Sequence, residues 1–206
     1  MRKKIRFYKQ HTMETCGPAC MLMILDLYRK VEYPTPKQER KLYSLYRSTE
    51  FKGVNGAAIA NCLSKNNLEV TLMQSFHKKM DNRDGYFSKE LYEELQGEYQ
   101  TALNKCRNRI CLVTDIIISC DSMKQELDRG KQIILQCIVP GNADGIHDHT
   151  LHWVVVYGYE EGEFLVCDPL SSKIRISEKA LERYMDTPIG RICIVTGESL
   201  SSPFIR

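Results

Sequence analysis

A single β-hairpin in the C-terminal third constrains this chain most. Trp153-Val-Val-Val-Tyr157 is β-branched or aromatic throughout and stops at Gly158, the pattern of a buried strand. Glu160-Glu-Gly-Glu163 reads as a turn and Phe164-Leu-Val-Cys167 as the returning strand. The hairpin puts His152 at the head of one strand and Asp168 just past the end of its partner. Read as neighbours across an antiparallel pair, they allow the Asp168 carboxylate to hydrogen-bond the His152 imidazole. That bond fixes the ring tautomer and stabilises the imidazolium. Asp168-Pro169 is also an ordinary turn former, and its position near His152 gives it the second role.

The N-terminal end carries a matching thiol, in Gln10-His-Thr-Met-Glu-Thr-Cys16-Gly17-Pro18-Ala19-Cys20. Proline is tolerated in a first helical turn, where its missing N–H would be unpaired anyway. Cys20, Met23, Ile24 and Leu27 then recur at helical spacing, with Asp26, Arg29 and Lys30 off that stripe. This predicts a helix over about residues 18–29 with one buried face, and Cys16 just outside its N-terminus. Unpaired N–H groups and the positive dipole end there favour a thiolate, the nucleophilic form. The same N–H groups can donate to an oxyanion on an attacked carbonyl. Gln10, six residues earlier, offers a side-chain amide as a second donor. Cys20 lies on the apolar stripe and reads as core, and His11 has no evident scaffold to hold it near Cys16. An inert buried thiol is the ordinary fate of a lone cysteine; Cys16 departs from it because partners of the right chemistry follow. A thiol before a helix, a histidine on a strand and an acid in a turn point to an enzyme working through an acyl-thioester on Cys16.

The rest of the chain reads as scaffold. Helices are expected over Gly56–Lys65, Phe87–Lys105, Ser122–Arg129 (capped by Asp121 or Ser122) and Ser177–Tyr184. Strands are expected over Leu68–Leu72, Gln132–Val139, Lys173–Ile176 and Arg191–Thr196. Helices first and an antiparallel sheet after is an α+β plan. A length of 206 residues suits one domain, taken as 1–198 with a helical insertion at about 76–117 and a frayed tail at 199–206. A formal charge of +3, with no basic stripe interleaved with aromatics, gives no sign of nucleic-acid binding. No apolar run approaches a membrane span. Met1-Arg-Lys-Lys lacks the contiguous apolar run and cleavage site of a signal peptide, so a cytoplasmic location is expected. Nine cysteines, an odd number mostly in apolar patterns, favour reduced core thiols over a disulfide framework.

Taken together, Gln-(five residues)-Cys-Gly-x-Ala-Cys, the segment Gly53–Leu68, the strand after Gly130-Lys131, His-x-Val-Val-x-x-Gly-Tyr and Asp-Pro resemble the C39 peptidase family. These are papain-like cysteine peptidases best known for removing double-glycine leader peptides from bacteriocin precursors. The resemblance covers about residues 5–75 and 118–195. It implies a papain-like cysteine-protease fold, N-terminal helices packed on an antiparallel sheet. It implies Cys16 as nucleophile, His152 as general base and acid, Asp168 as orienting carboxylate and Gln10 as oxyanion donor. Gly17, Trp153 and His149, in the Gly141–Thr150 loop before His152, are the expected substrate contacts. No cofactor is implied. Three features depart from the family pattern. Thr15 stands where an acid usually precedes the cysteine, with Glu14 one place earlier. Ser75–Ile117 reads as an insertion, a surface helical hairpin or a lid carrying Tyr86, Phe87, Tyr92 and Tyr99. The chain stops soon after the Asp-Pro hairpin, without the membrane spans and ATPase of transporter-fused members.

A metal site is the competing reading of His147, His149 and His152 with Cys106 and Cys111. Neither spacing matches a zinc signature, and a metal would quench His152 as a base; no metal is expected. Three functions are therefore carried forward. The first is a peptidase, its thioester hydrolysed by water. The second is an acyltransferase of natural-product assembly, which passes an acyl group from a carrier-protein thioester to an amine acceptor. The third is a non-catalytic papain-like binding module, against which the intact Cys, His, Asp and Gln set argues.

Overall fold

A computed structural model describes residues 4–48, 52–76, 89–106, 108–114, 116–138, 151–187 and 190–198. The expected loop at Lys78–Gly85 with Tyr86 and Phe87, the Gly141–Thr150 loop with His147 and His149, and the tail from Ser199 lie outside them. The chain forms helices α1 (Cys16–Leu27), α2 (Pro36–Tyr46) and α3 (Gly56–Lys65), then strand β1 (Leu68–Phe76). Helix α4 (Lys89–Cys106), strand β2 (Cys111–Thr114), helix α5 (Cys120–Asp128) and strands β3 (Gln132–Ile138), β4 (Leu151–Glu160), β5 (Glu163–Cys167) and β6 (Lys173–Ser177) follow. Helix α6 (Glu178–Met185) and strand β7 (Gly190–Glu198) end the described chain.

The strands form one sheet in the order β2-β1-β7-β3-β4-β5-β6. Every pairing is antiparallel except β1 with β2, where Thr71 faces Cys111 and Gln74 faces Thr114 in parallel. The expected α+β plan holds, with one amendment. Helices cover both sheet faces: α1 and α3 pack on one, α5 and α6 on the other. Among the described residues the segment after β1 contributes helix α4 and edge strand β2. Strand β4 therefore alternates between two cores, Trp153 and Val155 on the α1 side and Val154 and Val156 on the α5 side. Buried on both faces, it reads as a continuous apolar run.

Helix α1 begins two residues earlier than its spacing predicts, with Thr15 at the N-cap and Cys16 as its first helical residue. The Thr15 carbonyl accepts from Ala19 N–H at 2.9 Å, so Pro18 falls inside the first turn, where its lack of an N–H costs nothing. The expected one-sided stripe is also revised: Cys16 to Leu25 are all buried, because β4 covers one side of the helix and α2 and α3 the other. Arg29 closes the helix end in the left-handed region (φ 56°), with Lys30 N–H reaching back to Leu25 C=O at 2.8 Å. Helix α2 is not among the expected elements. Its signals are nonetheless local: Thr35 caps it by accepting from Gln38 N–H, and Pro36 opens it. Helix α5 is capped by Ser119, not by Asp121 or Ser122; Ser119 and Ser122 exchange side-chain-to-backbone hydrogen bonds.

The β4–β5 turn holds Glu161 (φ 52°) and Gly162 (φ 81°) in the left-handed region, the two-residue geometry that matches strand twist. Gly158 lies within β4 and does not end it; the register shifts between Val156 and Gly158, a β-bulge. In the segment between β1 and β2, α4 packs on α3 through Tyr99, Leu103 and Cys106, and the Tyr99 hydroxyl donates to Gln74 Oε1. No described helix is long and apolar enough to cross a membrane.

Gly56 is a point of close approach between α3 and the sheet. A Cβ there would stand 2.9 Å from Ile192 Cγ2 and 3.3 Å from the Trp153 ring. The branched Ile192 methyl cannot swing clear, so Gly56→Ala should destabilise the protein by about 1–3 kcal/mol. A lowered urea midpoint with an unchanged slope checks this.

Candidate active site

The site is assembled at the head of β4. His152 faces Cys137 across the β3–β4 ladder and is 4% exposed. The hairpin register pairs Val155 with Cys167. Asp168 follows directly on Cys167, at the end of β5, which brings it back toward the head of β4. His152 Nε2 lies 2.7 Å from Asp168 Oδ1. The Cys16 thiol lies near enough to the imidazole to favour its charged form. Cys16, His152 and Asp168 are therefore one chain of contacts built from α1, β4 and the β5–β6 turn.

The turn holds the carboxylate as firmly as the histidine does. Oδ1 also accepts from Leu170 N–H at 2.9 Å, Oδ2 from the Ser171 hydroxyl at 2.8 Å, and Asp168 N–H donates to Ser172 C=O at 2.9 Å. Burial alone would raise this carboxyl; the bonds from His152, Ser171 and Leu170 outweigh it and hold Asp168 below its usual range. Burial alone would likewise depress the imidazole. Its hydrogen bonds to Asp168 and Cys16, with their charge, prevail and put His152 at about 9. The ring is thus an imidazolium at neutral pH, able to stabilise a thiolate and to give up a proton to a leaving group.

Gln10 is brought to the same place. Its N–H donates to Pro169 C=O at 2.9 Å, which ties the segment before α1 to the Asp168 turn. The Gln10 side chain is buried; Nε2 spends one N–H on Thr12 C=O at 2.7 Å, and Oε1 has no partner. A second amide N–H remains. The Cys16 and Gly17 N–H groups belong to the first helical turn, which has no intrahelical acceptor for them. Gly17 is pressed against Val54, Ile59 and Trp153, where an added Cβ would meet Val54 Cβ at 3.2 Å. Trp153, expected at the substrate, is 3% exposed and donates its indole N–H to Val54 C=O at 2.9 Å. Its ring lies beneath the start of α1 and packs within the core. His149 lies outside the described residues.

The surrounding thiols differ from Cys16 in setting. Cys20 donates to Trp153 C=O at 3.3 Å, and burial pushes it well up; burial does the same to Cys137, and takes Cys167 to about 11. They stay neutral. Among the described residues no group of three or more His, Cys, Asp or Glu is placed to hold a metal ion. Cys106 is buried against backbone carbonyls of α4 while Cys111 is exposed.

The residues that sequence reasoning misses lie one shell further out. Buried Glu39, on α2, accepts from His11 N–H at 2.9 Å and from the Tyr8 hydroxyl at 2.7 Å, and stands 2.7 Å from His11 Nδ1. His11 therefore does have a scaffold, though one that faces Glu39. The Thr35-Pro36 helix-start signal could have located α2, but nothing in Pro-Lys-Gln-Glu-Arg-Lys marks Glu39 as buried.

Residues 2–187 match the family model described as the Peptidase_C39 like family. No curated protein matches the sequence. Among solved structures, a putative C39-like peptidase from Bacillus anthracis is similar at a TM-score of 0.57 and 12% identity, over 95% of this chain and 96% of that one. A double glycine motif protease from an AMS/PCAT transporter, solved in complex with the leader peptide, is similar at 0.50 and 17%, over 95% of this chain and 93% of that one. At these identities the likeness is one of fold.

Two measurements check the site. Iodoacetamide at neutral pH should alkylate Cys16 and the exposed Cys111 and spare the other seven thiols. His152→Ala should slow the first reaction and leave the second unchanged, as read by peptide mapping. The His152–Asp168 pair should also shape stability against pH. The raised imidazole contributes fully below its ordinary 6.5 and loses that contribution as pH rises through about 9. The Tm deficit of Asp168→Asn should therefore be wide at pH 6 and shrink by pH 10; an equal deficit at both would contradict the coupling.

Proposed function

Because the chain belongs to the Peptidase_C39 like family, we propose that it is a cysteine peptidase cleaving a peptide amide bond through an acyl-thioester on Cys16. The observation that carries this reading is the buried His152, bonded to Asp168 at 2.7 Å with the Cys16 thiol beside its ring. In this scheme Cys16 Sγ attacks the peptide carbonyl carbon and the carbonyl π electrons move onto oxygen. The oxyanion accepts from the remaining Gln10 amide N–H and from the first-turn N–H groups of α1. The adduct collapses, the C–N bond breaks, and His152 hands its proton to the departing amine. Water then attacks the thioester, His152 takes a proton from it, and Cys16 is released as the acid product leaves. Asp168 keeps the ring oriented with Nε2 toward itself and stabilises its positive form.

A peptide substrate is supported by the similar transporter protease, whose structure holds a leader peptide. Gly17 seats the start of α1 closely on Val54, Ile59 and Trp153, beside Cys16. Incubation with a mixed peptide library that includes double-glycine sequences, read by mass spectrometry, tests the proposal. Wild-type protein should generate new peptide termini and Cys16→Ala none, a loss of at least about 10³-fold. Cleavage retained in Cys16→Ala would remove the thiol from the chemistry. A Cys16 adduct discharged by added amine but not by water would replace hydrolysis with acyl transfer.

A further inference from the structure

Glu39 is 1% exposed, on a helix whose other charges face solvent. Burying a carboxylate is costly unless donors surround it, and all of its donors come from one short stretch. Tyr8 donates its hydroxyl, His11 donates its backbone N–H, and His11 Nδ1 lies at 2.7 Å. Burial alone would raise this carboxyl, but those bonds outweigh it and hold it below its usual range, so it remains charged. Thr15 is buried; it accepts from Thr12 N–H at 3.2 Å and donates to Thr12 C=O at 3.0 Å. The carboxylate therefore grips the chain at residues 8 and 11, and the Thr12–Thr15 bonds close the turn that follows. Gln10 lies between residues 8 and 11, and Cys16 follows the turn.

We infer that Glu39 is a positioning residue: it fixes the Gln10–Thr15 turn and, through it, the two groups at its ends that receive the oxyanion, the Gln10 amide and the Cys16 N–H. This rests on the proposed acyl-enzyme chemistry. Glu39 touches neither the Cys16 thiol nor the His152 imidazole through any of these bonds; the His152–Asp168 contact is held from β4 and the β5–β6 turn. Loss of the carboxylate should therefore harm oxyanion stabilisation and spare the thiol's nucleophilicity.

Two reactions of Cys16 separate these effects. Acylation by p-nitrophenyl acetate passes through an oxyanion, whereas alkylation by iodoacetamide displaces iodide at a saturated carbon and forms none. Glu39→Gln keeps the shape and removes the charge. It should slow Cys16 acylation at least about tenfold while alkylation stays within about twofold of wild type, since small misplacements of catalytic groups carry such penalties. Both rates falling together, or acylation unchanged, would overturn the inference. Should Glu39→Gln not fold, Thr15→Val removes the hydroxyl that closes the Glu39-held turn on Thr12 and must show the same split; its absence overturns the inference equally. Failure of the underlying function looks different: p-nitrophenolate release as fast in Cys16→Ala as in wild type would remove Cys16, and the role of Glu39 with it.

Discussion

A histidine buried to 4% exposure must either lose its charge or find a fixed counter-charge. The bond between His152 Nε2 and Asp168 Oδ1 is that counter-charge, and much of the architecture exists to make it. The two-residue turn at Glu161-Gly162 sets the hairpin register, the end of β5 carries Asp168 toward the head of β4, and the Ser171 and Leu170 bonds hold the carboxylate there. Helix α1, buried on all sides, brings Cys16 beside the ring. The hairpin is local in sequence, and α1 is distant from it. The sheet order β3-β4-β5, with α1 docked on β4, is what joins them.

Strong local patterns made the core of this arrangement legible. The β-branched run after His152, the turn residues before Glu163 and the Gly17-Pro18 helix start each specify an element, and the three place Cys16, His152 and Asp168. The outer support was not legible, for physical reasons. Glu39 sits in a highly charged stretch, and whether such a residue is solvated or buried depends on what α2 packs against. Trp153 reads as a possible contact for substrate because aromatics serve both surfaces and cores; its burial under α1 comes from Gly17 and Gly56 making room. Strand β2 is four residues long and half exposed in pattern, so its parallel pairing with β1 is a tertiary outcome with no periodic signal. The start of α1 at Cys16 turns on one hydrogen bond, Ala19 N–H to Thr15 C=O, that spacing does not reveal.

Thr15 closes on Thr12 in the turn that leads into α1. The segment before Cys16 is held twice, by Glu39 bonded to His11 and by the Gln10–Pro169 bond to the turn that carries Asp168. Belonging to the Peptidase_C39 like family accounts for the fold.

The most direct test of the account is the protonation of His152 itself. The imidazole should be followed by NMR titration of ring-labelled protein, in wild type and in Asp168→Asn. The account predicts a wild-type midpoint near 9 that falls when the carboxylate is removed. A midpoint at the ordinary value of about 6.5, the same in both proteins, would contradict it.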